Sequence, residues 1–206
     1  MRIELQKAGK KYFREWVFRN VNTVIEPSDK IAITGPNGSG KSTLLKVLSG
    51  QLSPSQGTIV YEDNTIIPVE NIYREITFTA PYIDLIDEFT LMELLEFHFA
   101  FKQPIHQHTT QSLLQLSGLE KQKNKAIKSF SSGMKQRVKL LTTIMSNNKI
   151  VILDEPTTNL DQAGVDWYLQ LVESAKANKI IITGSNMERE YSYCNHVINI
   201  ADYKKF

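Results

Sequence analysis

The stretch "KIAITGPNGSGKSTLLKVLSG", Lys30 to Gly50, reads as a short β-branched strand, a glycine-rich loop and an amphipathic helix. Its centre, Gly35 to Thr43, satisfies the phosphate-loop pattern, with the strand before it and the helix after it that the pattern requires. Gly35, Gly38 and Gly40 let backbone N–H groups turn inward around phosphate oxygens with no Cβ in the way. Lys41 places a compact positive charge on the β and γ phosphates. Ser42 offers a hydroxyl to Mg²⁺, and the helix that follows directs its N-terminus at the anion. Pro36, Asn37, Ser39 and Thr43 complete the expected nucleotide contacts. The plain alternative is a glycine-rich turn that merely starts a helix.

A second acidic site lies far along the chain. "IVILDEP", Ile150 to Pro156, is four apolar residues that bury a strand and deliver Asp154 and Glu155 to its C-terminal end. Ligands of open α/β sheets bind at such ends. Asp154 suits the metal shell, and Glu155 can polarise an attacking water as general base. A solvated loop carrying two acids is the competing reading, and the phosphate loop in the same chain weighs against it.

Bulk properties narrow the class. The chain has 206 residues, 41% hydrophobic and 22% charged, with net charge +2. That is ordinary for a globular protein and too mild a basic bias to expect nucleic acid as a partner. One cysteine, Cys194, excludes an internal disulfide and fits a reducing compartment. "MRIELQKAGKKYF" alternates apolar and polar residues and is not expected to act as a signal peptide. The longest apolar runs fall far short of the ~20 residues a spanning helix needs.

With no repeat and no low-complexity linker, the chain is expected to form a single domain, 1–206. The first third reads as strands: "RIELQ", "NTVIE", "KIAIT", "GTIVYE" and "EITFTA". From about 88 to 146 the pattern is helical. It opens with Thr90 and Glu93 at capping-box spacing before "LMELLEFHFAF", and continues with "TQSLLQLSGL" and "MKQRVKLLTTIM". "KIVIL" and "KIIIT" return to strand, with a helix between them from Asp161 as N-cap to about 177. Such strands separated by helices predict an α/β fold with a largely parallel sheet buried on both faces, the helical middle being an insertion.

The phosphate loop and the acidic strand end leave many NTPase families open; "SFSSGMKQR", Ser129 to Arg137, narrows the choice. It resembles the signature loop of ATP-binding cassette (ABC) ATPases, with Phe130-Ser131-Ser132-Gly133-Met134 in place of LSGGQ. "TNLD", Asn159 to Asp161 with Thr158 before it, sits where that family has its D-loop. The resemblance covers essentially the whole chain. It implies a P-loop NTPase core with an N-terminal antiparallel β subdomain and an inserted helical subdomain. The core would span about 1–81 and 147–206, the helical part about 82–146. It also implies ATP hydrolysis with Mg²⁺ held by Ser42 and Asp154, in a head-to-tail dimer with a second copy of itself or a homologous ATPase subunit. Each ATP would lie between one chain's phosphate loop and Ser131, Ser132 and Gly133 of the other. The remaining partner would be an integral membrane permease, placing the chain in the cytoplasm on the inner face of the cell membrane. Tyr12, in "GKKYFREW", lies where the family has an aromatic that stacks on adenine; Phe13 and Trp16 compete for the role.

Two departures from the family pattern stand out. No glutamine occurs between Ile76 and Thr90, and the family's glutamine position falls on Pro81. Where the family's switch histidine should end the last core strand stands Ser185, in "IIITGSNMERE". A serine can donate one hydrogen bond there but cannot carry positive charge. His196 begins another apolar stretch and reads as structural. The leading expectation is therefore the ATPase subunit of a transporter, slow in isolation, with Glu155, Lys41 and Ser185 at the catalytic centre. A soluble cassette acting on ribosomes or DNA lacks its usual second cassette or coiled coils here. A nucleotide-gated scaffold that barely hydrolyses ATP stays open.

Overall fold

In the computed structural model, which describes residues 1–204, two long strands come first, β1 (Arg2–Tyr12) and β2 (Glu15–Ile25). β3 (Lys30–Thr34) leads through the glycine-rich loop into α1 (Lys41–Leu48), followed by β4 (Gln56–Asp63), β5 (Thr65–Ile67) and β6 (Ile76–Thr79). Three helices follow: α2 (Leu91–Phe101), α3 (Thr110–Ser117) and α4 (Ser132–Met145). β7 (Ile150–Asp154), α5 (Gln162–Ala175), β8 (Ile180–Gly184) and β9 (His196–Asn199) complete the main elements.

The strands form two sheets. One is a four-stranded sheet in the order β2-β1-β4-β5, whose ladders are antiparallel. The other has five strands in the order β6-β7-β8-β3-β9, with β3/β8, β3/β9 and β7/β8 parallel. β7 and β8 are buried at every position, which is why they read as continuous apolar runs with no alternation. β1 and β2 run longer than "RIELQ" and "NTVIE" suggest, closing as a hairpin around Phe13, which has φ 53. Register shifts between Leu5 and Ala8, Ala8 and Lys10, and Lys10 and Lys11 break the period-2 signal there.

The chain divides into two compact units. The first comprises 1–78, 149–154 and the chain from 176 onward, and the second 79–148 and 155–175. α5 thus groups with the helical unit, whereas the expected core kept everything after 147 together. The apolar face of α5 explains the grouping: Val165, Tyr168, Leu171 and Val172 are buried, and the helix packs on α4 within that unit. In the first unit, Leu44, Leu45, Val47 and Leu48 of α1 join Ile31, Ile33, Ile150, Ile152, Ile180 and Ile182 in one apolar cluster. Gly184 lets α1 pack closely, because a Cβ there would meet Leu45 Cδ1 at 2.6 Å and make that side chain shift.

In the helical unit, Thr90 and Glu93 form the expected capping box on α2. Near its far end, His98 Nε2 lies 2.9 Å from Ser146 Oγ. The Ser146 hydroxyl also lies 2.6 Å from the Thr142 carbonyl, to which it donates. Burial pulls the His98 pKa down to about 4. A histidine held neutral in the fold but protonated in the unfolded chain removes stability as pH falls from about 6.5 toward 4. Discounted for partial exposure, the loss is about 2 kcal/mol. Urea titrations at pH 7 and pH 4.5 should show the parent losing that much more than His98→Gln.

Candidate functional site

β3 delivers the chain to the glycine-rich loop, and the backbone there takes conformations that a side chain would obstruct. Gly35 has φ 138, and a Cβ on it would meet Ile200 Cγ2 and Ser39 Oγ at 2.8 Å each. Gly40 has φ 106, and its Cβ would meet Val17 Cγ1 at 2.5 Å. Gly40 is also the N-cap of α1 and offers no side-chain cap, so the first-turn N–H groups, at Lys41, Ser42 and Thr43, are left for an anion. The Pro36 carbonyl accepts from the Ser39 N–H at 3.0 Å, which closes the loop on itself. Lys41 is 5% exposed, and its ammonium donates to the Gly35 carbonyl at 2.7 Å and the Pro36 carbonyl at 3.4 Å. A buried positive charge, loop N–H groups and a helix N-terminus lie together within residues 35 to 43. Their shared chemistry is that of a polyphosphate cradle.

Asp154 ends β7 and is 1% exposed, in the same sheet as β3. A buried carboxylate at a strand end, with the Ser42 hydroxyl on α1, is a hard-oxygen donor pair of the kind Mg²⁺ accepts beside phosphates and water. Among the described residues no group of three or more His, Cys, Asp or Glu is placed to hold a metal. The neighbouring Glu155 opens the other unit. Its φ of 47 is left-handed, a conformation that costs a non-glycine residue about 1 kcal/mol or more. The Glu155 carbonyl accepts from the Thr158 N–H at 3.3 Å, starting the turn that leads to Asp161.

Within the helical unit, the serine-rich loop becomes the start of α4. Ser131 is its N-cap, accepting from the Met134 N–H at 3.3 Å. Ser131, Ser132, Gly133, Asn159 and Asp161 line an open groove of about 530 Å³. Gly133 allows a close approach here, since a Cβ would lie 3.0 Å from the Asn159 carbonyl. Asp161 Oδ1 accepts from the Gly164 N–H at 2.8 Å, capping α5 as expected. Arg137 also lines the groove, with its guanidinium 5.0 Å over the Trp167 ring. Its spacing from Gly133, one helical turn on, is the signal that places it on the same face.

Tyr12 stands at the end of β1, 47% exposed, with the Lys10 ammonium 5.7 Å over its ring. Phe13 is fully exposed in the turn, and Trp16 is flanked by Lys11 and Arg19 at 5.4 and 4.8 Å. Of the three, Tyr12 is half-exposed at the end of a strand. At the Pro81 position, the backbone carbonyl accepts from the Lys139 ammonium at 3.2 Å, and burial holds that lysine's pKa below its ordinary value.

Ser185 requires a correction. It lies at the expected strand end, but it is 2% exposed and its hydroxyl donates to the Glu190 carboxylate. The single proton expected to face a phosphate is committed elsewhere. Asn186, the next residue, is the one that touches the phosphate loop, at Gly35 and Asn37. Burial pushes the Cys194 thiol up to about 12, which disfavours the thiolate.

The parallel sheet, phosphate cradle, buried acidic strand end and capped serine loop define a P-loop ATPase of cassette type. The chain belongs to the ABC transporter family, whose model matches residues 18–158, and it is an ATP-binding subunit of that family. The lantibiotic transport ATP-binding protein SrtF of Streptococcus pyogenes is 29% identical over 209 residues, covering 99% of this chain and 86% of its own. A putative hemin import ATP-binding protein, HrtA, of Staphylococcus aureus is 30% identical over 201 residues, covering 91% and 90%. A putative ABC transporter ATP-binding protein of Pyrococcus furiosus shares the fold with TM-score 0.83, at 24% identity over the full length of both chains. A dimeric ATP-binding cassette in a post-hydrolysis state bound to ADP and Pi superposes with TM-score 0.82, at 23% identity, covering 96% and 93%.

Proposed function

We propose that the chain drives a membrane permease by binding and hydrolysing ATP in sites shared between two cassettes stacked head to tail. The observation that carries this reading is the buried Lys41 in its glycine cradle together with the buried Asp154 in the same sheet. Gly35 to Thr43 hold the phosphates, and Tyr12 stacks on the base. Ser42 and Asp154 would hold Mg²⁺, which when bound neutralises phosphate charge. Glu155 accepts a proton from water as the water oxygen bonds to the γ phosphorus. The bond to the bridging oxygen breaks, leaving ADP and inorganic phosphate. Ser131, Ser132 and Gly133, at the N-terminus of α4, receive the γ-phosphate held by the partner chain, and their groove leaves room for it.

Relatives named for lantibiotic transport and for hemin import support a permease partner, as does a patch on the helical unit. Phe97 and Phe101 are exposed there, Phe101 by 75%. Phe97 meets Phe89 and Phe101 edge-to-face, with centroids 5.4 and 5.2 Å away. Two touching exposed phenylalanines are surface that a partner could cover. Among the described residues no helix is long and apolar enough to cross a membrane, so attachment at the inner face of the membrane would run through that partner. Phe97→Ser with Phe101→Ser should abolish co-purification with a detergent-solubilised membrane protein while ATP binding stays at the parental level. Retained co-purification would remove the patch from the interface.

A second reading, a nucleotide-gated subunit that binds ATP and scarcely hydrolyses it, draws on the Pro81 position and on the committed Ser185 hydroxyl. Steady-state ATPase with and without the co-purified membrane protein separates the two. Stimulation by the partner supports transport coupling, and absent turnover in both states supports gating.

A further inference from the structure

β8 ends at Gly184, and the two residues beyond it are bonded in different ways. The Ser185 N–H extends the sheet ladder to the Ile33 carbonyl at 3.1 Å. Its hydroxyl donates to Glu190, itself 3% exposed, and accepts from the Met187 N–H at 2.9 Å. These bonds fix the turn from 185 to 190 at both ends. Asn186 projects from that turn, exposed, onto the phosphate loop. Its Oδ1 accepts from the Gly35 N–H at 3.2 Å, and its Nδ2 donates to Asn37 Oδ1 at 3.2 Å. One carboxamide therefore ties down the first glycine of the cradle and a side chain two residues further in.

We propose that Asn186 is the strand-end positioning residue for the phosphate loop, and that Ser185 and Glu190 act through it by fixing the turn that carries it. This rests on the reading of the loop as an ATP site. A cradle held in shape before nucleotide arrives spends less binding free energy on ordering, and a neutral amide does so without titrating across the histidine range. The buried Ser185–Glu190 pair accounts for a carboxylate that no step of hydrolysis uses.

The test compares the parent with Asn186→Ala, Asn186→Asp, Glu190→Gln and the Asn186→Ala/Glu190→Gln double variant. Mg-ATP affinity, single-turnover hydrolysis and Tm are measured on the full chain. Loss of two neutral hydrogen bonds should slow Asn186→Ala about tenfold, with Tm unchanged because the side chain is exposed. Asn186→Asp, nearly isosteric, should be slower still, since a carboxylate cannot donate to Asn37 and repels phosphate. Glu190→Gln should lower Tm in both backgrounds but slow hydrolysis only where Asn186 is present. The proposal is overturned if Asn186→Ala or Asn186→Asp matches the parent. It is also overturned if Glu190→Gln slows hydrolysis by the same factor in both backgrounds. A parent that neither binds nor hydrolyses ATP overturns the ATP-site reading as well, and this is visible before any variant is compared.

Discussion

Glu155→Gln is expected to slow hydrolysis by about 10² to 10⁴, the range lost when a positioned general base is removed. The substitution keeps side-chain volume and leaves the left-handed backbone at φ 47 in place, so the loop from Glu155 to Asp161 should keep its shape. What changes is proton affinity: an amide cannot accept the proton that water must release. ATP should then persist in the shared site. A γ-phosphate bound at once by one chain's cradle and by Ser131, Ser132 and Gly133 of another acts as a bridge. Size-exclusion chromatography with light scattering should show a dimer in Mg-ATP and a monomer in Mg-ADP. A variant that stays monomeric in ATP at high protein concentration, with any co-purified membrane protein present, would remove the shared-site geometry. One that still turns over at the parental rate would remove Glu155 as the base.

The parts of this molecule legible in sequence are the ones whose determinants are local. The phosphate loop is carried by consecutive residues, Gly35 to Thr43, between a β-branched strand and an amphipathic helix, so every requirement falls within one window. The capping box at Thr90 and Glu93 and the Asp161 cap are likewise short-range. The hairpin around Phe13 is obscured because bulges along β1 scramble the alternation from which a strand is recognised. The role of the strand end is obscured for another reason. Asn186 meets Gly35 and Asn37 across separations of 151 and 149 residues, and Ser185 is turned away by a carboxylate five residues on. No local pattern reports either bond. α5 follows the same rule: its N-cap is written in the sequence, whereas its membership of the helical unit depends on which neighbours its apolar face meets.

Lys41→Ala is expected to cost about 10² in ATP affinity, because charge-assisted hydrogen bonds to phosphate contribute about 1.5 to 3 kcal/mol each and no other side chain of the loop is cationic. Its effect on folding should be small. In the structure the ammonium donates to the Gly35 and Pro36 carbonyls, at a loop where water can replace it once the side chain is gone. Tm should therefore stay near the parental value while binding collapses, the signature of a residue that serves the ligand. Lys41→Arg separates charge from shape. If positive charge alone held the phosphates, arginine would restore binding. The lysine stem, however, is 5% exposed, and its ammonium reaches two carbonyls that converge on a point. A planar guanidinium needs more width and directs its donors as a fork. Lys41→Arg should thus recover less than a tenth of the lost affinity and lower Tm more than alanine does, through overpacking that typically costs about 1 to 3 kcal/mol. Isothermal titration with Mg-ATP on folded protein reads both variants. Alanine binding within a factor of about three of the parent would overturn the assignment, since one charge-assisted bond already exceeds that difference.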